Sequence, residues 1–233
     1  MGSPGFDASL LLAGQYHDWL VSGFLVSLRL AATALLFALP LALVVATLRL
    51  APVAAMRALG AAWVEGIRNV PLLAHLLFWY FAAPELLPEP VRRWLYARDV
   101  EFVSAVIGLA LYASAYMAED LRSGIRAVPA VQLEAARALG LGYLTAMRRV
   151  VLPQAVRLTV PPLISQTLNL WKDSSIATVI GVAELMYQAA RVESASFRST
   201  EAFAFATVCY AGVSLLITLA AAAFQRRCPA RPA

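Results

Sequence analysis

The sequence predicts an all-α membrane protein with five transmembrane helices, and three observations carry that expectation. The first is composition. Of 233 residues, 61% are hydrophobic and only 14% are charged, with a mean hydropathy of +0.71. Soluble domains run to about 45–50% apolar and about 25% charged, so a soluble chain of this make-up would lack the polar surface to cover itself. The second is a series of apolar stretches of membrane-spanning length, and the third is an uneven placement of arginines between the segments that join them.

A helix needs about 20 apolar residues to cross the hydrocarbon core. Residues 21–48 meet that need with Arg29 as their one charge, placed close enough to the outer interface to snorkel; Pro40 predicts a kink or a locally unwound turn. Residues 60–83 form a second candidate, with Glu65 and Arg68 near its start and the uncharged "VPLLAHLLFWYFAA" after them. Residues 102–118 carry no charge. Residues 158–182 are interrupted by Lys172 and Asp173, and 202–224 again carry no charge.

The arginines set a direction. With the N-terminus outside, the inner connections hold Arg49, Arg57, Arg122, Arg126, Arg137, Arg148, Arg149, Arg157, Arg226, Arg227 and Arg231. The outer ones hold Arg92, Arg93, Arg98, Arg191 and Arg198, accompanied by acids. The bias predicts an extracytoplasmic N-terminal segment at 1–20, a membrane domain at 21–225 and a cytoplasmic tail at 226–233. The opening segment lacks a basic region ahead of its short apolar stretch, so it does not read as a cleaved signal peptide. Pro84, Pro88 and Pro90 mark a short outer connection, "APELLPEPVRRW". Trp79 and Tyr80 before it, with Trp94 and Tyr96 after it, suit an interfacial aromatic belt.

Other chemistries find little support. Cys209 and Cys228 suggest neither a disulfide framework nor a metal site, and His17 and His75 have no ligand-spaced partners. No nucleophile–base or metal-ligand constellation lies on the spans, so a membrane enzyme is not expected. The net charge of +5 reads as inner arginines rather than as a nucleic-acid surface.

Between the third and fourth spans lies "VQLEAARALGLGYLTAMRRVVLPQA", residues 131–155, a semi-polar passage in an apolar chain. Residues 134–139 favour helix, and Gly140 with Gly142 provides a stop. Residues 143–152 suit a second short helix, with Leu144, Met147 and Val150 at helical spacing and Arg148 and Arg149 on another face. Pro153 is expected to turn the chain back toward the membrane. The passage therefore predicts a helical hairpin whose alanines make its first limb thin enough to enter a groove on another protein. An amphipathic loop lying on the membrane surface is the plainer alternative.

In the fourth span, Ser165, Gln166, Asn169, Lys172 and Asp173 fall at i, i+1, i+4, i+7 and i+8 and form one stripe along a helix. Charges at membrane depth seldom face lipid, so the stripe is expected to face the protein interior. Either Lys172 and Asp173 hold the bundle together, or the stripe lines a translocation pathway. Glu65 and Arg68, three apart, suit an ion pair with each other or with the neighbouring loop; Arg68 could instead act as a gate.

The motifs resemble a family. "EAARALG", followed thirteen residues after its last glycine by the proline of "VVLPQA", resembles the EAA loop of binding-protein-dependent ABC import permeases. Glu134, Ala135, Ala136, Gly140, Leu152 and Pro153 fall where that loop has them, and Arg137 lies within it. "VEGIRNVPLL" is similar to the "ExxRGxPLL" element of the polar amino-acid branch, with Asn69 and Val70 as departures. Pro40 is a further departure, where the first span of the family commonly has glycine. "YASAYMAEDLRSGIRAVPAVQLEAARALG" resembles the approach to the coupling helix, and "LNLWKDSSIATVIGVAEL" the "KDTSL…GVxEL" segment. "FWYFAAPELLP" and "ESASFRSTEAFAFATVCY" are similar to the glutamate/aspartate subgroup.

The resemblance implies a type I ABC importer transmembrane domain whose 131–155 segment is the coupling-helix hairpin. It implies that Gln166, Asn169, Lys172, Asp173 and Ser174 line the pathway of a polar amino acid. The implied partners are an ATP-binding cassette ATPase dimer, a second permease subunit (identical or similar) and an extracytoplasmic amino-acid-binding protein. ATP and Mg would be used by the ATPase, with no cofactor bound here, since the chain has no Gly-x-x-x-x-Gly-Lys-Ser/Thr stretch. The implied location is the bacterial inner membrane. A stand-alone secondary transporter is the rival; it would need no docking hairpin and usually shows internal repeats.

Overall fold

The computed structural model describes residues 12–227, among which all regular structure is helical. Much of the expected N-terminal segment (1–11) and of the tail (228–233, with Cys228 and Arg231) lies outside the described residues. The helices are α1 (Gln15–Leu50), α2 (Ala54–Arg68), α3 (Leu72–Leu77), α4 (Glu89–Tyr96), α5 (Val100–Arg126), α6 (Ala130–Ala138), α7 (Tyr143–Ala146), α8 (Leu152–Asp173), α9 (Leu185–Ser196) and α10 (Ser199–Arg227).

Among the described residues, three helices are long and apolar enough to cross a membrane: α1, α5 and α10. They contain the expected spans at 21–48, 102–118 and 202–224 and extend beyond each. α1 continues as one helix through Pro40. Between Leu20 and Ala42 its buried positions, Leu20, Gly23, Ser27, Leu30, Ala34, Ala38 and Ala42, recur every three or four residues, and Val45 and Ala46 follow. This is the period of one helix face, and its small residues allow neighbours to approach closely.

The second expected span, 60–83, is not one helix. α2 stops at Arg68 with Asn69 as its C-cap, and helix resumes only at Leu72. Pro71 explains the break, because it offers no N–H and disfavours helical backbone at Val70. The segment then runs through a π turn, Phe78–Ala82, and a 3₁₀ turn, Ala83–Leu86. The apolar stretch Leu72–Leu86 that results is shorter than a full span.

The fourth expected span, 158–182, is also redrawn. α8 begins earlier, at Leu152, runs through Pro161 and Pro162, and ends at Asp173. A 3₁₀ helix, Ser174–Ile180, follows and is closed by Gly181 at φ +88°, a left-handed conformation that glycine adopts without a side-chain clash. Pro161, Pro162 and the polar stripe keep this 22-residue helix out of the long apolar class.

Both π turns have the same cause. Ala83 N–H bonds to the Phe78 carbonyl just before Pro84, and Leu152 N–H bonds to the Met147 carbonyl just before Pro153. A proline cannot donate to the carbonyl four residues back, and its ring crowds that carbonyl. The preceding turn relaxes to the five-residue register. Pro153 therefore does not interrupt the helical run. α7, the π turn Met147–Val151 and α8 follow one another without a gap.

The chain divides into two compact units. The first comprises residues up to Leu36, Pro71–Ala110 and Asn169–Leu216. Its core joins Leu20 to Leu185, Ala189, Val192, Ala202 and Ala206, with Trp19, Phe24 and Tyr210 packed against them. Gly108 allows α3 to approach α5, since a Cβ there would lie 2.9 Å from Leu76 Cδ2. The second unit comprises Phe37–Val70, Leu111–Leu168 and residues from Ile217 onward. In it Val128, Val151 and Ala155 are buried, with Ile125, Leu133, Met147 and Leu158 packed against them. The end of α5, α6 and the start of α8 are thereby joined. Gly124 permits this approach: a Cβ there would stand 2.0 Å from Thr159 Oγ1.

Candidate functional site

The hairpin of α6, α7 and the π turn belongs to the second unit. α6 follows Pro129, whose fixed φ suits the position before a helix. It ends in a Schellman arrangement: Leu141 N–H bonds to the Ala136 carbonyl, Gly140 N–H bonds to the Arg137 carbonyl, and Gly140 sits at φ +83°. Gly140 thus stops the helix as its sequence position suggests.

Glu134, Ala135, Arg137, Ala138 and Gly140 are exposed, whereas Ala136 is buried and holds the helix to its own unit. Leu152 and Pro153 are exposed as well. The second limb departs from the expected pattern of Leu144, Met147 and Val150. Leu144 is 80% exposed, and the packed positions are Met147, Val151, Ala155 and Leu158. The widened turn ahead of Pro153 shifts the packed face by one residue, from Val150 to Val151. Val131, Leu139 and Tyr143 are also exposed, Leu139 at 84%. The sequence pattern had not marked these apolar side chains as surface. A solvated loop has no use for so many, whereas a docking surface does.

The stripe on α8 is not buried within this chain, contrary to expectation. Ser165, Asn169 and Lys172 are exposed, and Gln166 and Asp173 are half-buried. Ser174 does not share this exposure: it is fully buried and its Oγ donates to the Trp171 carbonyl at 2.7 Å. The charges therefore do not tie the chain's own bundle together.

No ion pair joins Glu65 to Arg68 among the described residues. Both are exposed, and the Arg68 guanidinium lies 4.8 Å from the Tyr116 ring centroid, a cation–π geometry. The ion pairs of this unit lie elsewhere. Glu119 accepts from Arg122 Nε at 3.0 Å and forms an ion pair with Arg49 Nη2 at 3.3 Å. Arg49 Nη1 and Asp120 Oδ2 are buried without a hydrogen-bond partner. In the first unit, Arg29 stacks over Phe102 at 4.6 Å, which accounts for this otherwise isolated charge.

The first unit also holds a fully buried acid that the motif "GVAEL" contained without revealing its role. Glu184 Oε2 accepts from Ser27 Oγ at 3.1 Å and from Tyr210 OH at 2.8 Å. Its Oε1 accepts from the Tyr187 N–H at 2.8 Å and from Thr178 Oγ1. Ser27 Oγ in turn accepts from the Leu185 N–H at 3.0 Å. Four donors match the lone-pair directions of a carboxylate, and they come from α1, the 3₁₀ helix, α9 and α10. Glu184 thus caps α9 and ties the irregular residues 181–184 to α1 and α10. Sequence alone could flag Glu184 only as an acid between apolar runs, because its partners are up to 157 positions away.

Comparison with known proteins is consistent with these features. Residues 38–228 match the family described as binding-protein-dependent transport system inner membrane component. The chain is 35% identical over 216 residues to the glutamate/aspartate import permease protein GltJ of Escherichia coli (strain K12), covering 91% of this chain and 88% of that one. It is 34% identical over 214 residues to the probable amino-acid ABC transporter permease protein PatM of Vibrio harveyi, covering 92% of each. Among solved structures, an amino acid ABC transporter crystallised with histidines superposes with a TM-score of 0.83 at 30% identity, over 96% of this chain and 100% of that one. The MetNI methionine ABC transporter in an inward-facing form shares the fold, with a TM-score of 0.72 at 19% identity over 92% of this chain and 99% of that one. The chain belongs to the binding-protein-dependent transport system inner membrane component family, and it is a permease subunit.

Proposed function

We propose that this subunit forms half of the translocation pathway of an ABC importer for a polar amino acid, glutamate or aspartate above all, and that a separate ATPase drives it through the 131–155 hairpin. The observation that carries this reading is the hairpin itself. It presents the EAA-like residues Glu134, Ala135, Arg137 and Gly140, together with Leu139 and Leu144, on an exposed surface backed by a packed core. The substrate class follows from relatives such as the glutamate/aspartate permease at 35% identity.

In the arrangement we favour, five segments cross the bacterial inner membrane with the N-terminus outside and the hairpin in the cytoplasm. Leu72–Leu86 and α8 are the two weaker crossings. A second permease, identical or similar, would cover the exposed stripe of Ser165, Gln166, Asn169, Lys172 and Asp173, so that it lines a wet pathway. A charged and polar lining facing lipid would be costly, about 2.5–3.5 kcal/mol for each central charge on insertion scales. The partners are an ATPase dimer that uses ATP and Mg and an extracytoplasmic binding protein that sets most of the selectivity. The chain's own residues bind, orient and change access; ATP hydrolysis belongs to the partner.

Deletion of residues 134–140 tests the reading. It should leave membrane insertion intact and eliminate association of the ATPase. Co-purification that survives the deletion contradicts the docking role.

A further inference from the structure

The hairpin at 131–155 carries one acid, Glu134, against three arginines, Arg137, Arg148 and Arg149. All four side chains are exposed, and no ion pair among the described residues includes any of the three arginines. Arg148 and Arg149 stand next to each other on the π turn. With Leu144 and Thr145 they line a cavity of about 420 Å³. The inner side of the same turn is anchored, since Val151 is buried and Met147 packs against its cluster. The two guanidiniums thus project from a fixed surface rather than a swinging loop.

Two adjacent guanidiniums with uncommitted donors suit planar carboxylates, which they can bind in a bidentate manner. The exposed Leu139, Tyr143 and Leu144 beside them supply apolar contact. An anionic membrane surface is the less fitting occupant, because Glu134 lies on the exposed side of the same hairpin and would be repelled by it. We propose that Arg148 and Arg149 form a second docking point for the ATPase, receiving aspartate or glutamate side chains of that subunit. This rests on the coupling reading above and adds to it the chemistry of the partner: the ATPase surface that meets the π turn is acidic.

The test uses the assembled transporter. The affinity of the ATPase for the permease is measured at about 50 mM and about 500 mM salt, either side of the ionic strength at which charges are screened beyond about 8 Å. R148Q/R149Q should weaken binding about two- to thirtyfold at low salt, as expected for the loss of two exposed ion pairs. It should also flatten the salt dependence, while R148K/R149K retains that dependence. An unchanged affinity and an unchanged salt slope in R148Q/R149Q overturn the proposal. So does a loss seen in nanodiscs containing phosphatidylglycerol but absent in pure phosphatidylcholine, which would assign the arginines to lipid. Wild-type permease that retains no ATPase at either salt instead refutes the coupling reading itself, so the two failures are distinguishable.

Discussion

Gly124→Ala is a single-methyl perturbation with a worked geometry. The added Cβ would lie 2.0 Å from Thr159 Oγ1, 3.0 Å from Thr159 Cβ and 3.3 Å from its Cα. Ordinary van der Waals contact begins at 3.4 Å, so α5 and α8 must separate locally by about an ångström. Overpacking of this kind destabilises by about 1–3 kcal/mol. Thr159 is buried and its Oγ1 donates to the Ala155 carbonyl at 2.7 Å, so its side chain has little freedom to turn away. Ala155 in turn belongs to the small core that supports the hairpin. Gly124→Ala should therefore lower the melting temperature of the purified permease and weaken ATPase retention together. Adding Thr159→Ala removes the worst contact and leaves the milder approaches of 3.0 Å to Cβ and 3.3 Å to Cα, so the double variant should recover most of both losses. A Gly124→Ala permease as stable as wild type, or a double variant no better than the single one, would show that the close approach of α5 and α8 does not support the docking surface.

Two other outcomes are expected. Glu184→Ala removes the shared acceptor of the hydroxyls of Ser27, Thr178 and Tyr210 and of the Tyr187 N–H; Ser27 is fully buried and the other bonds are partly so. At about 1–3 kcal/mol for a buried group left unsatisfied, thermal unfolding should show a loss of about 3 kcal/mol. Glu184→Gln, which keeps the shape and one oxygen, should lose less; equal stability of Glu184→Ala and wild type would refute the node. Lys172→Met and Asp173→Asn should abolish transport while assembly with the ATPase persists, because neither charge supports the chain's own core. Normal uptake by both variants would remove the stripe from the pathway.

Much of this was legible in the chain because it depended on local chemistry. The long apolar runs gave α1, α5 and α10, and Gly140 ended α6 through its own left-handed backbone. The prolines were legible as disruptions but not as particular geometries. Pro71 split an apolar run that hydropathy joined, whereas Pro153 widened a turn without interrupting the helical run. The exposure of Leu144 could not be read from helical spacing, because a π turn changes the period. Glu184 escaped for a different reason: Thr178 and Tyr187 are near it in sequence, but Ser27 and Tyr210 are 157 and 26 positions away, and only the folded first unit brings them to one carboxylate. The stripe at 165–173 was correctly aligned on one helix. Periodicity fixes a face but not what covers it, so its exposure in the single chain went unforeseen.

The central claim is that this subunit moves cargo only when an ATPase acts on its hairpin. The direct measurement is glutamate uptake into proteoliposomes, with and without the ATPase, the companion permease and the binding protein. The account predicts uptake that requires all of these together with ATP and that disappears on deletion of residues 134–140. Uptake by this chain alone, driven by an ion gradient, would contradict it.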